Sequence, residues 1–198
     1  MKIIFLDIDG VLNCENGYKH KWCTKNDTYG DLFFPPSASL LNDLISETRA
    51  KIVISSTWRM SGLKQMQRMW KDRKMAGEVI DITPSIWNIN NKKYLHNGKS
   101  KPINYDIPRG VEIDIWLEWK GFKHINWCSE KQYEYMDKSG IENYIIIDDD
   151  SDMLLKQSEH FVHVKQSPKN KNGFHLTNYY RALRILRKNV VDLNYNIK

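Results

Sequence analysis

Two carboxylates follow directly on an apolar run at the start of the chain. Residues 3–6 (Ile-Ile-Phe-Leu) precede Asp7 and Asp9, and Gly10 then lets the backbone turn. Like charges at the end of a buried strand are unfavourable unless a cation compensates them, and carboxylate oxygens suit Mg²⁺. The pair therefore indicates a magnesium site, with a polar strand end before a turn as the plainer alternative.

Polar side chains also end two other apolar runs. Residues 51–59 (KIVISSTWR) place three consecutive hydroxyls after an apolar run, and residues 144–152 (YIIIDDDSD) place a group of carboxylates there. A basic residue, Arg109, precedes a predicted helix. In an open parallel sheet, ligands bind beyond the carboxyl ends of the strands. These segments are therefore expected to meet in one site at that edge.

Five short apolar segments alternate with helical patterns, which predicts an α/β fold with a parallel sheet. Strands are expected at residues 3–6, 52–54, 78–82, 144–147 and 161–164. Helices are expected at residues 37–50, 57–77, 110–121 and 177–189, with Thr57 as the cap of the second and Gly77 at its end.

Polar stretches at about residues 13–36 and 85–109 interrupt this pattern and are expected to be insertions in a single domain, 1–198. The aromatic residues of 13–36 either stack on a substrate base or, as we favour, pack in a local cluster. The cations and aromatics of 85–109 suit a nucleic-acid backbone and bases, and a solvated loop is an equally good explanation.

Taken in order, these motifs resemble the haloacid dehalogenase-like (HAD) hydrolases. The resemblance rests on residues 7–11 (DIDGV), on the strand ending at residues 55–57 (SST), on a basic residue and on Asp148-Asp149. Residues 55–59 (SSTWR) resemble the corresponding segment of a small branch of this superfamily that is found in RNA-repair proteins. This resemblance implies a Rossmann-like three-layer sandwich, a five-stranded sheet in the order 5-4-1-2-3, and a small flap or cap.

The resemblance also implies a phosphomonoesterase that works through an aspartyl-phosphate intermediate. Asp7 is then the nucleophile, and Asp9 gives a proton to the leaving oxygen and later takes one from water. Ser55 is the expected phosphate-binding hydroxyl, because it is the first polar group after the strand, and Ser56 is the second choice. The backbone N–H of Gly10 is expected to receive phosphate oxygens.

A magnesium ion is the cofactor that the resemblance implies. It would be held by the Asp7 side chain, the Asp9 backbone carbonyl and a carboxylate after the fourth strand. Asp149 is our preferred ligand there, with Asp148 competing for the role and Asp152 supporting the site from behind. A solvated acidic turn is the alternative for this carboxylate cluster.

The basic residue that contacts the phosphate in the resembled family is usually lysine. In this sequence Arg109 stands at that place, directly before a predicted helix, and Lys101 is the alternative. The two are not equivalent, because arginine offers a planar fork and lysine a point charge.

The bulk composition limits the class of partner. The chain has 198 residues and a net charge of +6, which favours an anionic partner. No apolar run approaches the roughly 20 residues of a membrane span, so no membrane partner is expected. Three cysteines without a disulfide pattern indicate reduced thiols and a cytoplasmic location.

The expected substrate is a nucleotide or the phosphorylated end of a nucleic acid. A small phosphorylated metabolite, such as a sugar phosphate, is the alternative substrate. A protein of another class, a catalytically silent module that binds phosphorylated ligands, is the alternative function.

Overall fold

The computed structural model describes residues 1–85, 107–122, 139–165 and 171–188, together with the backbone of residues 93–96 and 99–102. The strands are β1 (Lys2–Leu6), β2 (Asn26–Asp27), β3 (Gly30–Asp31), β4 (Lys51–Ile54), β5 (Val79–Ile82), β6 (Lys93–His96), β7 (Lys99–Pro102), β8 (Asn143–Asp148) and β9 (Phe161–His163). The α-helices are α1 (Glu15–Lys19), α2 (Pro35–Thr48), α3 (Leu63–Asp72), α4 (Arg109–Trp119) and α5 (Leu176–Arg187), and 3₁₀ helices cover Thr57–Ser61 and Leu155–His160. None of these described helices is long and apolar enough to cross a membrane.

Five parallel strands form the central sheet in the order β5-β4-β1-β8-β9. Counted along the five predicted strands and read from the opposite edge, this order is 5-4-1-2-3. The predicted α/β class and strand order are therefore confirmed. Leu6 pairs with Ile54 on one side and with Ile147 on the other, so the carboxyl ends of β1, β4 and β8 are adjacent.

Both faces of β1 are buried, which explains its continuous apolar sequence. Ile4 and Leu6 belong to the core that packs against α2, α3 and α5. Ile3 and Phe5 belong to the core on the other face, where the Phe5 ring meets Trp116 of α4 edge to face with centroids 5.2 Å apart. Helices thus cover both faces of the sheet, and the predicted three-layer sandwich is confirmed.

The helix predicted at residues 57–77 is wrong in its extent. Gly62 adopts φ +86°, in the left-handed region, and separates the 3₁₀ helix after β4 from α3. Met60, expected on the apolar stripe, is therefore 70% exposed. The α-helix ends at Asp72, and Gly77 lies in the turn before β5 and not at the end of the helix.

The first polar insertion, 13–36, contains α1 and the small antiparallel hairpin of β2 and β3. Among its aromatic side chains, Phe33 and Phe34 are buried, whereas Tyr18 and Trp22 are exposed. The local cluster that the sequence favoured therefore includes only some of them. The second insertion contains the β6–β7 hairpin, whose side chains lie outside the described residues.

Candidate active site

A cavity of about 510 Å³ opens at the carboxyl ends of β1 and β8, under the first insertion. It brings together most of the residues that the sequence singled out. The predicted residues that line it are Asp7, Asp9, Gly10, Arg109 and Asp149.

Three carboxylates converge at the inner end of this cavity. One oxygen from each of Asp7, Asp148 and Asp149 lies within 4.8 Å of the others. Asp148 is 1% exposed, and its Oδ1 accepts a hydrogen bond from the Asp150 N–H at 2.9 Å. Its Oδ2 is buried and has no hydrogen-bond partner among the residues that the structure describes. An orphaned carboxylate oxygen beside two further carboxylates is a donor set that a divalent cation fits.

The electrostatics of the cluster agree with this fit. Burial raises the pKa of Asp7 to about 6, although the Arg109 guanidinium acts in the opposite direction. Burial, and then the charge of Asp7, raise the pKa of Asp148 to about 8. Burial, followed by the charge of Asp150, also raises the pKa of Asp149. Without a cation these groups resist being ionised together, and a bound divalent cation would reverse that preference.

Gly10 is required by a close approach of the Asp149 side chain. Its backbone has φ +74°, and a Cβ at this position would lie 2.0 Å from Asp149 Oδ2. His163 Nε2 lies 2.9 Å from the Asp149 carbonyl and fixes the backbone there. The Gly10 N–H donates to the Asn13 carbonyl at 2.7 Å. The predicted hydrogen bond from this N–H to a phosphate oxygen stays a prediction.

Asp9 lies at the cavity wall, where two side chains orient its carboxylate. Trp58 Nε1 donates to Asp9 Oδ2 at 3.0 Å, and Asn13 Nδ2 donates to Oδ1 at 3.4 Å. The Trp58 ring is itself held against Phe33 and under the Arg73 guanidinium, 5.4 Å from the ring centroid. Sequence reasoning missed Trp58, and the only available signal was its place directly after the three hydroxyls.

The hydroxyls after β4 are placed differently from the prediction. Ser55 still belongs to the sheet, because its N–H donates to the Leu6 carbonyl at 2.8 Å, and it is only 1% exposed. Ser56 is also buried, and its hydroxyl lowers the pKa of Asp7. The same hydroxyl accepts the Trp58 N–H at 3.5 Å and caps the next turn, the role that was expected of Thr57. Thr57 is exposed and lines the cavity. Of these three residues, Thr57 is therefore the one that lines the cavity.

Arg109 begins α4 with its side chain directed across the cavity rim. Its backbone N–H donates to Asp152 Oδ2 at 2.7 Å, and its guanidinium donates to the Ser55 carbonyl. Its charge favours the ionised form of Asp7. Asp152, which was expected to support the metal ligands, therefore holds the start of α4 by accepting the Arg109 N–H. The side chain of Lys101, the alternative basic residue, lies outside the described residues.

A buried ion pair supports the turn after β4. Arg59 and Glu112 are each 5% exposed and are joined at 2.6 Å, and Arg59 also donates to the Ser56 carbonyl at 2.7 Å. Breaking such a buried pair from one side typically costs about 3–5 kcal/mol. This pair, which the sequence analysis did not predict, ties the turn that carries Thr57 to the helix that carries Arg109.

A match to a protein-family model tests the family resemblance that the motifs indicated. The model describes the HAD domain in Swiss Army Knife RNA repair proteins and matches residues 3–169. The chain belongs to this family. The matched range of the Swiss Army Knife HAD domain includes every cavity residue named above, and the predicted resemblance is confirmed. No match was found among curated proteins or among solved structures. Membership in this family supports the conclusion that the protein is a hydrolase of the HAD type.

Proposed function

We propose that this protein is a Mg²⁺-dependent phosphomonoesterase that acts on a nucleotide or on the phosphorylated end of a nucleic acid. The observation that carries the proposal is the carboxylate cluster, in which the buried Oδ2 of Asp148, beside Asp7 and Asp149, has no hydrogen-bond partner in the described part of the chain. These carboxylates, together with the Asp9 backbone carbonyl, would hold the ion. When bound, Mg²⁺ neutralises charge on the phosphate oxygens.

Asp7 and Asp9 divide the chemistry between them. A carboxylate oxygen of Asp7 forms a bond to phosphorus while the bond from phosphorus to the leaving oxygen breaks, and Asp9 gives its proton to that oxygen. Water then attacks phosphorus, Asp9 takes the proton, and the bond between Asp7 and phosphorus breaks to release inorganic phosphate. Trp58 and Asn13 hold the Asp9 carboxylate for both proton transfers.

Two donors at the cavity surface are proposed to bind the phosphate group. The Arg109 guanidinium and the exposed Thr57 hydroxyl line the same cavity as Asp7. Ser56 takes a supporting role, because its hydroxyl lowers the pKa of Asp7 and so favours the ionised carboxylate. Ser55, the hydroxyl that the sequence favoured, contributes its backbone carbonyl to Arg109.

The substrate class is supported by two properties of the whole chain. The family is named for RNA repair proteins, and the net charge of +6 favours a polyanion over a small neutral ligand. A sugar phosphate offers the same reacting group without the polyanion. The two substrate classes therefore differ in the salt dependence of their binding.

Hydrolysis of a generic aryl phosphate in the presence of Mg²⁺ tests the reaction. We expect Asp7→Asn to lower kcat by at least about a thousandfold, because no nucleophile remains. Asp43→Asn, at an exposed carboxylate on α2, is the matched control and should retain full activity. Equal rates for wild type and Asp7→Asn would refute the mechanism. If the wild type binds phosphate but does not hydrolyse the aryl phosphate, the protein is a catalytically silent binding module instead.

A substrate panel tests the substrate class. It compares oligonucleotides with 5′ or 3′ phosphates, mononucleotides and sugar phosphates by kcat/KM. We expect the oligonucleotides to be preferred and their affinity to fall steeply with salt. A preference for sugar phosphates, with no salt-sensitive oligonucleotide binding, would exclude the nucleic-acid substrate.

A further inference from the structure

A second cavity, of about 330 Å³, lies against β5 on the face of the sheet that α4 covers. Its outer walls include Met60 and Trp119, each of which is 70% exposed. Its floor includes Arg59, Asp81 and Thr83, which are buried or half-buried. The proposed hydrolysis uses none of these side chains, and two large exposed apolar side chains at the mouth of one cavity indicate a binding surface.

Ser55 and Ser56 connect the floor of this cavity to the active site. Thr83 Oγ1 in its floor donates to Ser55 Oγ at 3.4 Å. Arg59, also in its floor, donates to the Ser56 carbonyl at 2.7 Å, and the neighbouring Ser55 N–H donates to the carbonyl of Leu6, the residue before Asp7, at 2.8 Å. A ligand in the second cavity would therefore lie beside a phosphate bound at Asp7, within the reach of one polymer chain.

The floor and rim of the cavity are polar, and each of their two cations is paired with a carboxylate. Arg59 is 5% exposed, and its Nε has no hydrogen-bond partner within the described part of the chain, although Glu112 pairs with its guanidinium tip. Lys120 Nζ lies at the rim, 2.9 Å from Asp81 Oδ2 and 5.1 Å from the centroid of the Trp116 ring. The cavity thus combines apolar walls with hydrogen-bonding groups at its base.

We propose that this cavity binds a nucleobase of the single-stranded nucleic acid whose phosphorylated end enters the active site, an inference that rests on the proposed function. A nucleobase has two apolar faces and a polar edge, which match the walls and the floor of the cavity. The exposed ring of Trp119 offers a stacking surface, and Lys120 and the net charge of +6 favour the anionic strand that carries the base.

Direct binding tests this assignment independently of turnover. Fluorescein-labelled single-stranded hexanucleotides with a 5′ or a 3′ phosphate are titrated by fluorescence anisotropy, in EDTA so that the phosphate is retained. We expect Trp119→Ala to raise Kd at least about fivefold, the lower limit for losing one base stack. Trp119→Phe, which retains a ring, should recover most of the affinity. Tyr180→Ala, at an exposed aromatic of α5 (61% exposed), should match wild type.

A Kd for Trp119→Ala within twofold of wild type would overturn the assignment, and so would an equal loss in Tyr180→Ala. Hydrolysis rates separate this failure from failure of the proposed function. If the wild type hydrolyses both oligonucleotide and aryl phosphate, we expect Trp119→Ala to lower kcat/KM several-fold more for the oligonucleotide. If the wild type hydrolyses neither, the proposed function fails, and the anisotropy result still decides whether Trp119 contacts a base.

Discussion

The two cavities at this sheet are built by different means. In the active-site cavity, Asp7 and Asp148 end neighbouring strands, and backbone hydrogen bonds such as that from the Asp7 N–H to Ile147 fix their positions. In the second cavity, Met60 and Trp119 project from the ends of short helices with most of their surface exposed. Fixed strand ends suit chemistry, which tolerates little displacement, and exposed side chains suit selection of a ligand.

The two cavities also differ in how their charged groups are paired. The active-site cavity crowds buried carboxylates whose pKa values are raised, and the proposed cation would compensate their charge. The polar groups of the second cavity are largely paired within the protein, as Lys120 is with Asp81. Removing a charge should therefore have large effects in the first cavity and small effects in the second.

The largest effect is expected for Asp148→Asn. The folded, metal-free protein holds the Asp148 proton more tightly than the unfolded chain does, because its pKa is raised from 3.8 to about 8. The stability associated with this proton is fully present below about pH 4 and is lost as the pH rises through about 8. In EDTA we expect wild-type Tm to fall across this range, and Asp148→Asn to show a much smaller fall.

Thermal denaturation at pH 8 with added Mg²⁺ completes this test. Binding to the folded state raises Tm, and we expect a rise of at least about 4 °C for wild type, which corresponds to about 1–2 kcal/mol in a chain of this size. Asp148→Asn should show little response. The same Mg²⁺-dependent rise in both proteins would exclude Asp148 from the cation site.

An intermediate effect is expected for Trp58→Phe. Phenylalanine retains the packing against Phe33 but cannot donate to Asp9, so Asp9 loses one of the bonds that orient it. We expect kcat to fall about tenfold, the equivalent of one modest hydrogen bond to a charged group. Trp22→Phe, at an exposed tryptophan of the first insertion, is the control.

The choice of leaving group shows whether Trp58 acts through Asp9. A poor leaving group needs the proton from Asp9, and a good one, such as nitrophenolate, needs it less. The loss in Trp58→Phe should therefore be greater for an alkyl phosphate than for an aryl phosphate. An equal loss for both would indicate a general packing defect.

The smallest effect is expected for Lys120→Ala. Lys120 and Lys156 form a matched pair, because each is bound to one aspartate and their side chains are 44% and 43% exposed. We expect Lys120→Ala to reduce the slope of log Kd against log salt for single-stranded oligonucleotides by about 0.7, the loss of one phosphate contact. Lys156→Ala should leave the slope as it is. Equal slopes for the two variants would show that Lys120 does not contact the nucleic acid.

The sequence predicted the parts of this fold that depend on simple periodicity. The doubly buried strands appear as apolar runs, and the carboxylates of Asp7 and Asp148 stand directly after two of them. Gly62 was not recognised as a break, because a stripe of methionines continues across it and only its positive φ reveals the interruption. Periodicity shows which residues are apolar but not where the backbone changes direction.

The sequence does not predict the placement of side chains where long-range contacts decide it. Ser55 is the first polar residue after β4, but its N–H still bonds to β1 and its side chain is buried. Trp58 and Arg59 have partners in distant segments, Asp9 and Glu112, which no local pattern indicates. A single sequence predicts the type of residue at the site better than it predicts which of several adjacent residues faces the ligand.

Pairing of β1 with β8 places Lys2 opposite Asn143, with 140 residues of chain between them. During synthesis, a ribosome-bound fragment that ends before β8 carries Asp7 without the other two carboxylates of the cluster. Such a fragment could not assemble the cation site, because closing this long loop is the step that creates it. The capacity to bind the ion, and the reactivity that we attribute to Asp7, would therefore arise only when β8 has joined the sheet.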